Sequence, residues 1–550
     1  MMNKQFKGFI LGVGLTLIFI VVMGSSRLDF DRGESLKIFL NAFRELNLVY
    51  VDQPDPEVMA KDAIDGMLKG LDPYTTYMNK EESEAFDEAT SGEYAGMGAI
   101  ISKSLSNKYA EIEEVIENSP AHKAGLTIGD RLLSIDKKTI EHLDNKEVSS
   151  SLRGKAGTSF NLEYISLLTG ETVNVKIKRD IIHTTSVPYY GIIKNSDGVG
   201  YIMLSTFSSS SYTETREAVE SLLATGEVKS LILDLRDNGG GILGEAVKIV
   251  SLFVDKGTEV VKVDGRSYKT PSIMKTQSEP IAGNLPLVVM VNGNSASASE
   301  VVAGAIQDLD RGLIVGSQTF GKGLVQNTRD LGSGTTLKVT TAKYYTPSGR
   351  CIQLVDYAHR DSDGGAGVIP DSLKKEFKTV SGRVVYDGGG IMPDSVIVEQ
   401  NYTRFVENAV SRANYMSDFV KQYYKNNRGD ITPGEFEVDD KILNQFAAHL
   451  VENDFEVLTL TNYYLDLLKK AAEEEYYTSK IENEISTIEK SLKVDITEDI
   501  ELNREQIKKF LELEIITAYK LQAGKMEHFA QTDSDVAKAV ECLEKGFDLK

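Results

Sequence analysis

The chain has 550 residues and a formal net charge of −21. That length exceeds one ordinary core and predicts several structural units. The acidic balance excludes the basic footprint that nucleic-acid binding needs.

At the N-terminus, Lys4 and Lys7 precede an uncharged apolar run from Gly8 to Gly24. Its length is near the minimum for a helix that spans a bilayer, and the lysines orient its N-terminus inside. No small-x-small cleavage site is clear after Val22. The reading favours an uncleaved signal anchor over residues 1–26 rather than a cleaved signal peptide. Either way, the rest of the chain is expected in the cell envelope, facing the periplasm from the inner membrane or released into it.

Residues 27–90 read as helical. Leu36, Phe39, Leu40, Phe43 and Leu46 follow the helical period, and a second helix ends before Leu71-Asp-Pro73. From 91 to 182 the pattern changes to short β-type runs with glycine turns. Strands are expected at Gly98–Ile101, Ala110–Ile116, 129–136, 159–165 and 172–177, with helices near 119–126 and 145–152. Residues 183–400 alternate strand and helix, which predicts an α/β core. From 401 to 550 the chain reads as a helical, acidic extension with solvated charged faces, or as a platform for a second copy or an adaptor.

Within the core, Leu285-Pro-Leu-Val-Val-Met-Val291 reads as a strand. It stops at Asn292-Gly-Asn-Ser-Ala-Ser-Ala-Ser-Glu300, where a helix opens. A helix N-terminus there would present unpaired amides to a developing oxyanion. Any of the three serines could be a nucleophile. A base is needed, and Lys322, between Gly321 and Gly323, can serve if burial disfavours its charged form. His183 and His359 are the alternative bases. A Cys351/His359 pair is the remaining nucleophile option. The two cysteines give neither a disulfide framework nor zinc spacing. No metal or organic cofactor is implied. Gly316–Lys322 matches seven positions of a phosphate-binding loop, but Gly323 replaces the Ser or Thr that would hold magnesium. Gly239–Gly244 fits a dinucleotide fingerprint only formally.

Two resemblances sharpen this. Tyr94-Ala-Gly-Met-Gly-Ala-Ile100, Ser119-Pro-Ala…Ala-Gly-Leu126, Gly129-Asp130 and Ser134-Ile-Asp136 resemble a PDZ domain. That implies capture of a peptide C-terminus by the amides of Met97, Gly98 and Ala99, with the strand through Ile100 pairing to the peptide. Leu233-Asp-Leu-Arg-Asp-Asn-Gly-Gly-Gly241, Ser295-Ala-Ser-Ala-Ser-Glu300, Gly321-Lys-Gly-Leu-Val-Gln326, Tyr345-Thr-Pro-Ser-Gly-Arg350 and Ile391-Met-Pro-Asp394 resemble the carboxyl-terminal processing (tail-specific) peptidases. Leu71-Asp-Pro-Tyr-Thr-Thr-Tyr77 is similar to their N-terminal region. The resemblance implies an α+β multidomain protein, with a crotonase-like ββα protease core and an inserted PDZ-like domain. It implies Ser297 as nucleophile, Lys322 as base and Gln326 holding the lysine. Gly241 and Ala298 would form the oxyanion hole. The partners would be protein or peptide substrates with accessible C-termini. Cys351 departs from the family pattern.

Overall fold

The computed structural model describes residues 27–103, 108–266, 271–360, 365–398, 402–411, 414–492 and 495–546. The expected anchor over 1–26 lies outside them. Among the described residues no helix is long and apolar enough to cross a membrane. The chain divides into two units. The first holds helices Arg27–Val49 and Pro56–Leu68, the strand Thr76–Met78 and the hairpin residues 328–339, whose second strand pairs antiparallel with Thr76–Met78. Asp55 caps the second helix by accepting the amides of Glu57 and Val58, and proline occupies the first turn, where its missing N–H costs nothing.

The second unit comprises residues 80–327 and 340–546 among those described. Its PDZ-like part begins after the helix Lys80–Ser91. Strands β1 (Ala99–Ser102), β2 (Glu111–Val115) and β3 (Arg131–Ile135) precede helix α1 (Asn145–Leu152). Strands β4 (Ser159–Ile165) and β5 (Thr172–Lys178) complete an antiparallel sheet in the order β1-β2-β3-β4-β5. Asp144 and Glu147 form a capping box at the start of α1. Met97, Ile112, Leu132, Phe160 and Leu162 form its core. Entry strand Glu93–Gly96 pairs antiparallel with exit strand Asp180–His183, so both ends of the insert leave at one place.

The α/β core is built on a six-stranded mixed sheet. Its strands are β6 (Tyr189–Ile192), β7 (Val199–Met203), β8 (Ser230–Asp234), β9 (Leu287–Val291), β10 (Leu313–Gly316) and β13 (Ser395–Val396), paired in that order. Only the β6–β7 pair is antiparallel. Strands β8 and β9 are buried along their whole length, which explains their unbroken apolar runs. Helices α2 (Ser211–Ala224), α3 (Leu243–Val250) and α4 (Ala298–Asp308) share one core cluster with this sheet. Between β10 and β13 lie β11 (Leu324–Gly332) and β12 (Thr335–Tyr345), which pair with each other.

The C-terminal helices are more than a solvated extension. Phe405, Phe419, Phe446, Leu511 and Ile515 build a core of their own. Helix α5 (Arg504–Thr532) breaks at Leu521, whose φ of 57° and ψ of −166° are non-helical. Helix α6 (Ser534–Lys545) then covers the second face of the central sheet. Its Val536, Ala539 and Leu543 cluster with Tyr201, Ile232, Val288 and Met290. The sequence hides this because α6 is charged on its outer face, and its inner stripe is only three apolar residues. A chain ending at Thr532 is expected to lose about 5 kcal/mol of stability, from re-exposing the sheet face and losing those side chains. Thermal unfolding would show it as an early or non-cooperative transition.

Candidate active site

The segment after β9 folds as a tight turn into α4. Ser297 sits at the helix start with φ 56° and ψ −110°, a conformation that L-residues seldom adopt outside functional turns. It is partly exposed, whereas Ser295 and Ser299 are fully buried. Their hydroxyls are committed to main-chain carbonyls: Ser295 Oγ donates to Leu235 O at 2.7 Å and Ser299 Oγ to Asn238 O at 2.7 Å. Burial therefore separates three serines that look alike in the sequence. Two serve as struts and Ser297 faces the surface.

A buried carboxylate organises the turn. Glu300 is at the third position of α4 and is fully buried. Its Oε2 accepts the backbone N–H of Ser297 at 2.8 Å and that of Lys322 at 2.9 Å. Its Oε1 accepts Gly321 N–H at 2.7 Å and Thr319 Oγ–H at 2.7 Å. Burial pushes the Glu300 carboxyl above its ordinary pKa, and these four donors oppose the shift. Because one oxygen serves both amides, the backbones of Ser297 and Lys322 are held side by side. Tyr344, on β12, repeats the link from its own side. Its single O–H is shared between Lys322 O at 2.7 Å and Ser297 O at 3.1 Å. Burial holds that phenol well above its usual range, so it stays a donor.

Lys322 lies in a packed loop, half-buried, with Gly321 and Gly323 buried on either side. Gly323 N–H donates to Gln353 Oε1 at 2.8 Å. No helix follows: β11 begins at Leu324, so the phosphate-loop match has the wrong successor. Gln326 is half-buried on β11, and its Nε2 donates to Thr340 Oγ1 at 3.2 Å.

The glycine run lies against the serine turn. Asn238, fully buried, accepts Ala296 N–H through its main-chain oxygen at 3.0 Å and donates Nδ2–H to Leu204 O at 2.7 Å. A Cβ on Gly240 would lie 2.7 Å from Ala296 O and 2.9 Å from Ala298 N, so only glycine permits this approach. The Gly240 N–H is taken by Asn238 Oδ1 at 2.9 Å. Gly241 is next in the chain, and the Ala298 amide, in the first turn of α4, has no intrahelical acceptor.

The alternatives fare worse. His183 Nδ1 is 3.1 Å from Glu93 Oε1, and the exposed His359 ring is held 2.8 Å from Asp356 Oδ2. Cys351 and Cys542 are both free thiols, and burial pushes the Cys351 thiol upward, away from a thiolate nucleophile. Among the described residues no cluster of His, Cys, Asp or Glu could hold a metal. Two of the motifs prove structural. Arg350, fully buried, pairs with Asp308 at 2.8 Å to hold the end of α4. Asp394 accepts Ile314 N–H at 2.8 Å and Gln307 Nε2–H at 3.0 Å.

In the PDZ-like part, β1 is an edge strand of its sheet. Met97 is buried in that domain's core, Ala99 is partly buried and Ile100 is exposed. Gly98 has a φ of 77°, and its carbonyl accepts Ser119 Oγ–H at 3.0 Å.

Sequence reading missed Glu300, Asn238 and Tyr344. Glu300 was within reach, since Ser297-Ala-Ser-Glu300 has capping-box spacing. Tyr344 has no local signature.

Comparison with known proteins agrees with this architecture. Residues 198–371 match the model of peptidase family S41, 111–166 a PDZ domain, and 406–543 the family described as "Probable PDZ-protease, C-terminal helical domain". The chain is 34% identical over 373 residues to the carboxy-terminal-processing protease of Bartonella bacilliformis, covering 67% of this chain and 82% of that protein. It is 37% identical over 335 residues to a probable CtpA-like serine protease of Staphylococcus aureus, covering 60% of this chain and 63% of that one. Among solved structures, the photosystem II D1 C-terminal processing protease aligns at 27% identity and a TM-score of 0.36, over 66% of this chain and 92% of that one.

Proposed function

Since the chain belongs to the carboxyl-terminal processing peptidases of family S41, we propose that it is an envelope endopeptidase working through a Ser297/Lys322 dyad on a crotonase-like core. Ser297 Oγ attacks the scissile carbonyl while Lys322 Nζ takes its proton. The N–H groups of Gly241 and Ala298 receive the negative charge on the carbonyl oxygen. Lysine then protonates the leaving amine, and water hydrolyses the acyl-enzyme with lysine again as base. Gln326 steadies the lysine side chain. The observation that carries this reading is the double tie between the two residues: Glu300 binds both amides, and the Tyr344 hydroxyl both carbonyls. Such a tie fixes a nucleophile and its base in one geometry.

Substrate enters by its tail. The PDZ module would bind a free C-terminus on the loop of Met97, Gly98 and Ala99, and pair its backbone with β1 through Ile100. The apolar run Gly8–Gly24 behind Lys4 and Lys7 supports a membrane anchor with the body outside the cytoplasm. The helix Leu460–Glu474 exposes Tyr463, Tyr464, Leu467 and Leu468, which supports contact with a second copy or an adaptor.

Tail capture predicts that a reporter protein with a free apolar C-terminus is cleaved with a kcat/KM at least about tenfold above its C-terminally amidated twin, because the amide forfeits a charge-assisted set of hydrogen bonds. Equal cleavage of the two would remove the PDZ step from the mechanism.

A further inference from the structure

We propose that the kinked helix α5 is the outer wall of the tail-binding cavity and grips the bound tail from the side opposite the PDZ groove. The inference rests on the tail-capture reading above and adds a determinant outside the PDZ fold.

The second unit holds a cavity of about 970 Å³ bounded on three sides. One side is the PDZ groove, with Ala99, Ile100 and Ile101 of β1 facing Asn145 and Ser149 of α1. The second is the C-terminal end of core strands β7 and β8, at Met203, Arg236 and Asp237, which adjoins the glycine run. The third is α5, through Leu513, Gln522, Lys525, Met526 and Phe529. A tail paired with β1 would thus have a helix of the C-terminal domain on its other flank.

That wall is fastened on both sides of the cavity. Leu521, at the break of α5, packs on the PDZ core cluster. Further along, Arg236 stacks on Phe529, its guanidinium 5.1 Å from the ring centre, and reaches Asp533 at 2.8 Å. Asp533 in turn caps α6. The same arginine pairs with Asp234 at 2.7 Å, directly before the loop that carries Gly241. So α5 joins the PDZ core to the glycine loop, instead of lying loosely across the opening.

The lining chemistry defines the tail. Ile100, Ile101, Leu513, Met526 and Phe529 supply apolar surface. The cations at the rim are already paired: Lys525 with Glu514 at 2.7 Å, and Arg153 with Glu88. Glu114 also lines the cavity, and burial pushes its carboxyl above the ordinary value. An acidic tail side chain would meet no spare cation there and would pay its desolvation, whereas Glu114, Glu117 and Asp237 all line the cavity. One polar atom is left over. Gln522 Oε1 is buried with no hydrogen-bond partner. The Gln522 side chain lines the cavity, so its removal takes away part of the wall.

Ala523 lines the cavity yet is exposed, so Ala523→Trp adds bulk to the wall without entering a core. The chain has no tryptophan, so the new indole is a unique reporter. With a peptide ending in apolar residues and a free carboxylate, Ala523→Trp is expected to raise KM about tenfold with kcat unchanged. In a Ser297→Ala background, the indole emission should change saturably with that peptide. Gln522→Ala, at a half-buried position, should also raise KM and leave kcat alone. A response in KM or in emission supports the wall. Wild-type KM in both variants with flat emission overturns it. If the unmodified enzyme fails to distinguish the free peptide from its amidated twin, tail capture itself fails and the wall falls with it.

Discussion

Ser297→Ala is expected to lower kcat for peptide cleavage by about 10⁴-fold or more, with a melting temperature close to that of the parent protein. The partly exposed hydroxyl is not tied to a buried carbonyl as its neighbours are, and the Ser297 amide keeps its bond to Glu300, so the loss of the hydroxyl should leave the turn largely intact. Lys322→Ala should cost about as much, and the double variant little more than either alone, because nucleophile and base act in one step. Ser295→Ala and Ser299→Ala should behave oppositely. Each removes a donor from a buried carbonyl, and Ser295 Oγ also accepts Asn292 N–H at 2.9 Å. Each should therefore cost about 1–3 kcal/mol of stability while retaining measurable cleavage. A serine scan read by both kcat and thermal unfolding separates the nucleophile from its struts. Full activity in Lys322→Ala would return the base assignment to a histidine or to solvent.

What could be read from the sequence follows from where each signal is stored. The turn at 292–297 is local: a buried apolar strand, then small residues, then a helical period, and the structure places β9, turn and α4 there. The PDZ strands were equally legible, because glycine turns bound short β-type runs there. Selecting Ser297 from three serines could not be local, since all three share the same neighbours. The difference lies in what stands opposite: Leu235 O and Asn238 O, some sixty residues earlier, occupy the flanking hydroxyls. Tyr344 is invisible for the same reason, being one tyrosine in a β-rich run until β12 places its hydroxyl over the site. The charged C-terminal region misled most. Its sparse apolar residues read as a solvated helical face, yet Leu521, Phe529 and Val536 land on the PDZ core, Arg236 and the central sheet in turn.

Glu300→Gln is expected to lower kcat by about 10²–10³-fold, leave KM for the tail nearly unchanged and reduce stability by about 3 kcal/mol. The native carboxylate accepts four donors with two oxygens. Glutamine keeps the shape but replaces one oxygen with an amide NH₂. Whichever way the amide turns, two donors then face a donor. If the nitrogen takes the Oε2 side, the amides of Ser297 and Lys322 lose their shared acceptor. If it takes the Oε1 side, Gly321 and Thr319 lose theirs, and the loop that delivers Lys322 loosens instead. Tyr344 remains to tie the two carbonyls, so the site should slacken without collapsing. That residual tie distinguishes the expected result from simple unfolding: Glu300→Gln should still bind tails in the PDZ groove with native affinity. Adding Tyr344→Phe should then remove the second tie, and the loss in kcat should exceed the product of the two single losses. Wild-type kcat in Glu300→Gln would mean that the shared carboxylate is only a helix cap, and that the alignment of Ser297 with Lys322 is set elsewhere.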